Sequence, residues 1–307
     1  MSAWRTALAP AKLNLRLEIL GKRPDGFHEL ITEMLAIDLA DELRARRVAG
    51  DGITLALGGP ACGADIPADD RNLAWRAVQL VQEEARRRGQ REVGLELQLE
   101  KQIPSQAGLG GASSDAAAAM LLADALLECG LEREWMGSRL AELGSDCRFF
   151  LDAAHGYARC EGRGERVVPF SGAGPDGSIA LVTPALACPT PAVFSALRFP
   201  LPVLPESAPL GVGHTAPARV RPLGNHLQAA AFRAVAELRP WGAVFERQQA
   251  AQWQLSGSGS SFFAVFPSSA EARAGLDRVR AETASLNLGL RLCAVVEPMG
   301  HGARLMF

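Results

Sequence analysis

The chain has 307 residues, 48% of them hydrophobic and 21% charged, with a formal net charge of −2. That length exceeds one small core and predicts one large or two modest domains. The near-neutral charge gives no case for nucleic acid or an anionic membrane as partner, and no apolar stretch approaches a membrane span. Six scattered cysteines without a C-x-x-C pair argue against a zinc site or a disulfide framework. They fit reduced thiols in the cytoplasm, where the absence of a signal-like N-terminus from Met1 to Lys12 also points. Of 32 basic residues only Lys12, Lys22 and Lys101 are lysine. Lys12 and Lys101 fall in segments of interest for other reasons, whereas Lys22 reads as an ordinary surface residue.

Apolar alternation from Leu13 to Leu20 predicts a half-buried strand. Pro24-Asp25-Gly26 predicts a turn, and extended runs follow over 30–39, 42–48 and 53–57. Residues 72–88 read as an amphipathic helix and 93–99 as a strand that leads through Lys101 into Ile103-Pro104-Ser105-Gln106-Ala107-Gly108-Leu109-Gly110-Gly111-Ala112-Ser113-Ser114-Asp115. Small residues there let the backbone curl tightly, and a helix starting at Ser113 or Ser114 would aim free N–H groups into the curl. On residues alone the stretch is either a phosphate cradle or a small-residue turn before a helix; it is neither a Walker loop nor a dinucleotide fingerprint. Helices are predicted over 114–129 and 132–143. Residues 171–177 read as a loop, 179–183 as a strand, 190–197 as a short helix, and 199–222, with six prolines, as an irregular crossing. Helices over 225–238 and 269–285 and strands over 262–266 and 291–297 complete an α+β pattern.

Four further segments carry groups suited to phosphoryl transfer. Alternation puts Lys12 and Asn14 on one strand face, where a lysine could offset phosphoryl charge or simply meet water. Asp146 follows the helix-ending Gly144 and is either a helix N-cap or the acceptor of a hydroxyl proton. Phe27-His28 follows the turn and could stack on and hydrogen-bond a base, although most histidines do neither. Gly257-Ser258-Gly259 lies in a second small-residue loop that could approach phosphates or merely join two strands.

In combination, Pro10-Ala11-Lys12-Leu13-Asn14-Leu15, Gly21-Lys22-Arg23-Pro24-Asp25-Gly26-Phe27-His28, the 103–115 loop, Gly144-Ser145-Asp146 and the 257–259 loop resemble the GHMP small-molecule kinases, over nearly the whole chain. The Gly21–His28 stretch with Pro189-Thr190-Pro191 is similar to the branch that phosphorylates a cytidine diphosphate-linked methylerythritol. The resemblance implies an N-terminal ATP-binding domain over 1–160, a ferredoxin-like α+β domain over 161–307, and an active site in the cleft between them. It implies ATP and Mg²⁺ as cofactors and a small-molecule substrate, in a monomer or homodimer. Lys12 and Asp146 are then catalytic. Pro104, Ala107, Gly108, Leu109, Gly110, Gly111, Ala112, Ser113 and Ser114 hold the phosphates, with Ser113 toward the metal, and Asn72 and Lys101 lie on the adenosine side. Asn14, Phe27, His28, Pro189, Thr190, Phe194, Gly257, Ser258 and Gly259 hold the acceptor. Gln106 and Ala112 stand where that family usually has glycine, Arg148 replaces a proline, Ser145 an alanine and His226 an aspartate, and Phe27 is commonly tyrosine. These departures leave open a different acceptor hydroxyl, or a nucleotide-binding relative without catalysis.

Overall fold

Strand β1 (Arg5–Lys22) begins well before Leu13. Ala7, Ala9 and Ala11 are its fully buried alternate positions, and alanine carries little strand signal of its own. Pro10, which lacks a donor, sits at a register shift in the pairing with β2 (His28–Val48), where a missing ladder bond is tolerated. β2 fuses two expected strands; the buried Asp41 is what broke the apolar pattern between them. The predicted turn joins β1 to β2, with the Asp25 carboxylate accepting the Phe27 N–H at 3.1 Å. The computed structural model describes residues 3–171, 174–204, 223–248 and 251–306. Most of the expected proline-rich crossing therefore lies outside the described residues.

β3 (Ile53–Gly58), α1 (Leu73–Arg87) and β4 (Gly94–Glu100) form a parallel βαβ unit, with β4 also antiparallel to β2. Asn72 caps α1, its side-chain oxygen accepting the Ala74 N–H at 2.9 Å. α2 (Gly111–Leu127) starts two residues or more before the expected serines, because Gly110 takes a left-handed φ of +72° as its N-cap. Ala116 to Ala119 are all fully buried, so α2 has no broad polar face and lies between the sheet and the neighbouring helices. α3 (Arg133–Leu143) and α4 (Cys147–Asp152) follow, then the hairpin of β5 (Tyr157–Gly162) and β6 (Arg166–Pro169), which extends the sheet from β2.

The second part runs β7 (Ser178–Pro184), α5 (Thr190–Ser195), β8 (Gly224–Asn225), α6 (Gln228–Ala234), α7 (Arg239–Arg247), β9 (Gln254–Leu255), β10 (Phe262–Phe266), α8 (Ser269–Ser285), β11 (Leu290–Val296) and β12 (Arg304–Met306). The single helix expected over 225–238 does not form. Asn225 accepts the Leu227 N–H at 2.8 Å and donates to the Leu255 and Gly257 carbonyls, which holds it extended in β8 beside β1. A short 3₁₀ turn then precedes α7, whose Pro240 stands at the helix start where its missing donor costs nothing. The second sheet has the order β11-β7-β10-β9, antiparallel throughout, which is the ferredoxin-like βαββαβ arrangement. The larger sheet has the order β12-β1-β2-β4-β3 with β5, β6 and β8 attached, so the chain is α+β with two sheets. A shared apolar seam joins them: Leu13, Leu35 and Ile37 of the large sheet pack in one cluster with Ile179, Leu181 and Phe263 of the small one.

Candidate active site

A cleft of about 920 Å³ is lined from both parts of the chain, and the glycine loop, Lys12, Asp146 and the Phe27-His28 turn all open onto it. At its centre Lys12 is almost fully buried. Its ammonium donates to Asn14 Oδ1 at 2.5 Å and to the Gly108 carbonyl at 3.0 Å, and lies 3.4 Å from Asp146 Oδ2. The expected strand alternation thus places Lys12 and Asn14 together, with Leu13 and Leu15 in the seam. Asp146 precedes α4 but makes no side-chain capping bond. Its carboxylate, about a quarter exposed (28%), faces Lys12 and the cleft.

The glycine loop is built by close approach. The Lys12 N–H donates to the Leu109 carbonyl at 2.9 Å, and a Cβ on Gly110 would lie 2.9 Å from Lys12 Cγ. The 257–259 loop joins β9 to β10 and also braces the first loop. Ser256 Oγ donates to the Gly108 carbonyl at 2.9 Å, and the Ser261 N–H donates to the Ala107 carbonyl at 3.1 Å. The segment is thus the strand-to-strand connection that was one of its two readings, and it also supports the glycine loop from the small-sheet side. The first helical bond of α2, from the Ser114 N–H to the Gly110 carbonyl, leaves earlier N–H groups of the first turn without intrahelical acceptors at the cleft.

Several expected contacts fall elsewhere. Ser113 lines the cleft, but Ser114 is fully buried below it, and its hydroxyl has no hydrogen-bond partner among the described residues. Asn72 borders the cleft with its side chain already engaged, because Nδ2 donates to the Pro67 carbonyl at 2.8 Å while Oδ1 caps α1. Lys101 borders it too, yet its ammonium is held between Asp41 and Asp115. Burial opposes that charge, but the two carboxylates outweigh it and hold the lysine above its ordinary value. Burial in turn pushes the Asp115 carboxyl well above the carboxylate range, against the pull of Lys101. Pro189 and Gly259 stand behind the lining, while Thr190, Pro191, Gly257 and Ser258 reach it. Thr190 and Ser258 share a hydroxyl hydrogen bond of 2.9 Å across the small lobe.

At the far end Phe27 is half exposed, with the Arg163 guanidinium 4.8 Å from its ring centre. The His28 ring lies 5.2 Å from Phe194 and 6.4 Å from Phe199. Burial first and Lys22 second lower the His28 imidazole below its ordinary value, so it is neutral at pH 7. Lys22, read from sequence as surface, lines this end together with Arg163, Ser145 and Phe199. Lys22 is exposed, as expected, and its pairing with His28 across the β1–β2 hairpin is what brings it to the cleft.

Residues 72–153 match the family described as GHMP kinases N terminal domain. The 4-diphosphocytidyl-2-C-methyl-D-erythritol kinase of Rhodopirellula baltica is 36% identical over 91% of this chain and 92% of that one. The enzyme of the same name from a Synechococcus strain is 35% identical over 100% of both chains. The chain belongs to the 4-diphosphocytidyl-2-C-methyl-D-erythritol kinase family. A crystal structure of 4-(cytidine 5'-diphospho)-2C-methyl-D-erythritol kinase superposes with a TM-score of 0.73 at 34% identity, covering 97% of this chain and 100% of that one. A homoserine kinase from Cytophaga hutchinsonii shares the fold, with a TM-score of 0.68 at 18% identity over 100% of this chain and 98% of that one.

The departures from the family pattern have local explanations. Gln106 occupies a left-handed φ of +50°, where glycine is easier, and its carbonyl accepts the Cys188 N–H at 3.2 Å. Ala112 lies within the first turn of α2 and needs no positive φ. Arg148 points away from the cleft, pairing with Asp152 at 2.7 Å and Glu134 at 2.6 Å. His226 Nδ1 accepts the Ile19 N–H at 2.9 Å, and its other nitrogen meets the Pro202 carbonyl at 2.9 Å, which fixes a neutral tautomer at the edge of β1.

Proposed function

We propose that the chain transfers the γ-phosphoryl group of ATP to the 2-hydroxyl of 4-diphosphocytidyl-2-C-methyl-D-erythritol, with Lys12 and Asp146 as the catalytic pair. The observation that carries this reading is the Lys12 ammonium, 3.4 Å from Asp146 Oδ2 and 3.0 Å from the Gly108 carbonyl of the glycine loop. An acceptor hydroxyl brought beside Asp146 can pass its proton to that carboxylate while Lys12 offsets the charge gathering on the transferred group. Most of the acceleration then comes from positioning, as expected for phosphoryl transfer. The loop N–H groups and the start of α2 hold the ATP phosphates.

Mg²⁺ takes oxygen ligands and usually only one or two from protein beside phosphates and water. The Ser113 hydroxyl on the cleft wall would supply one such oxygen. A metal held there with the nucleotide would supply neutralisation of phosphate charge. The cytidine end is assigned to Phe27 and Phe194 as stacking faces and to neutral His28 as a group that both donates and accepts. The cleft separates two lobes whose boundary we place after β6, because a division at residue 160 would split β5, which pairs with β2 from Tyr157 to Gly162, and part it from β6. Six free cysteines favour a cytoplasmic enzyme. A coupled ADP-release assay tests the assignment. It expects turnover with the cytidylyl acceptor and little with homoserine or mevalonate, and equal turnover with all three would refute it.

A further inference from the structure

Lys101 borders the cleft, but its charge is spent inside the protein. It is 3% exposed, between Asp41 at 0% and Asp115 at 3%. Its Nζ lies 2.6 Å from Asp115 Oδ2 and in direct contact with Asp41 Oδ2. Asp41 Oδ1 accepts the N–H groups of Gln102 at 2.5 Å and Ile103 at 2.9 Å. The main chain of Lys101 is engaged as well: its N–H donates to the Gly58 carbonyl at 2.8 Å, and its carbonyl accepts the Ala61 N–H at 3.0 Å. A Cβ built on Gly111 would stand 3.4 Å from Nζ, so the ammonium sits directly beneath the first residue of α2. The second oxygen of Asp115 is buried without a hydrogen-bond partner among the described residues, which leaves Lys101 as the anchor of that carboxylate. Through its ammonium Lys101 thereby ties β2 to the first turns of α2 beside the run into the glycine loop, and through its main chain it holds the crossing that leaves β3 toward Ile66 and Pro67.

We propose that Lys101 is a positioning residue for the nucleotide: clamped by Asp41 and Asp115, it fixes both ends of the 103–114 loop and the adenosine-side crossing relative to each other, without its ammonium contacting ATP. Pinning the two ends of a loop removes the entropy of closing it. Its N–H donors are then aligned before the phosphates arrive, and binding costs less ordering. A buried ion triad contributes little to stability that apolar residues of equal volume would not. What it adds at this place is a fixed direction for the chain segments that meet at the mouth of the glycine loop.

The inference rests on the loop being the ATP-phosphate site. If the wild type releases no ADP with any acceptor, that reading fails; an unmoved ATP response in the variants below fails only this inference. The test is Asp41→Asn, an isosteric change at a residue that does not line the cleft. Its KM for ATP and its calorimetric Kd for ATP should both rise by roughly ten-fold or more, while kcat at saturating ATP and KM for the acceptor stay within about three-fold. Combined with Lys101→Met, it should weaken ATP binding no further than Lys101→Met alone, because both changes cut the same tie. An ATP KM within about two-fold of wild type, or equal rises for both substrates, overturns the proposal. Asp115→Asn, which keeps one ion pair, is read by the same criteria if Asp41→Asn does not fold. Failure of both isosteric variants to fold also overturns it, since the triad is then a requirement of folding rather than of nucleotide placement.

Discussion

The chemistry of this site depends on where three polar side chains cannot go. Lys12 has its stem buried on β1 and its ammonium shared among Asn14, Gly108 and Asp146, so it is held in place almost out of reach of solvent. Asp146 escaped the capping role that its position before α4 suggested, because its backbone is already helical and its carboxylate turns to Lys12. His28 adds a pH dependence with a definite sign. Burial, helped by Lys22, lowers its imidazole below the ordinary value, so the unfolded chain takes up a proton more readily than the folded one. Stability therefore falls as pH drops below about 6.5, the unperturbed value for histidine. A protonated imidazole also loses its acceptor lone pair. The KM for the acceptor should accordingly rise as pH falls through that range while the KM for ATP does not, and His28→Gln should flatten the acceptor profile. Parallel rises for both substrates would count against His28 as the base reader.

Among the elements, the glycine loop tolerates least. Gly110 combines a φ of +72° with contacts that leave no room for a methyl group: Lys12 Cγ at 2.9 Å and Phe150 Cζ at 3.0 Å from its Cβ position. Gly110→Ala should lower stability by about 1–3 kcal/mol and displace the Lys12 stem, with kcat falling more than ATP affinity. Urea unfolding and steady-state kinetics check both halves; a variant with wild-type kcat contradicts the placement of Lys12. The loop, Lys12 and Asp146 were legible in the sequence because each combines an unusual composition with fixed local geometry: small residues before a helix, alternation on a strand, an acid after a helix-ending glycine. Less was legible where tertiary contacts override local signal. Asn225 is held extended by carbonyls more than two dozen residues away, α7 hides behind Pro240, and Ala7 to Ala11 form a strand because β2, and at Ala7 and Leu8 also β12, lies alongside. Lys101 illustrates the same limit at the site itself. Its position next to the loop could be read, but not the two carboxylates that occupy it, one of them sixty residues away.

At the scale of the molecule, the two sheets are joined by an apolar seam. Leu13, Leu35, Phe263 and Leu181 are all fully buried in one cluster, and β8 and β12 return the later chain to the edge of β1. Lobes joined by so apolar an interface should unfold together. Calorimetry is expected to show one cooperative transition, and Phe263→Ala should shift the whole of it, with a loss of about 3–5 kcal/mol. Two separated transitions, with only one displaced by Phe263→Ala, would mean that the lobes are independent. This seam also keeps Lys12 on the large sheet in fixed relation to Gly257 and Ser258 on the small one, so both walls of the cleft are in place without prior assembly.

The central claim is that Asp146, held beside Lys12 under the glycine loop, takes the proton from the acceptor hydroxyl. The most direct measurement is ADP release by Asp146→Asn with the cytidylyl acceptor and Mg²⁺, set beside calorimetric titration of the same variant with ATP. The variant's kcat should be lower by about 10²–10⁴-fold with ATP affinity nearly unchanged. An Asp146→Asn enzyme that turns over near the wild-type rate, or that loses ATP binding along with turnover, would contradict it.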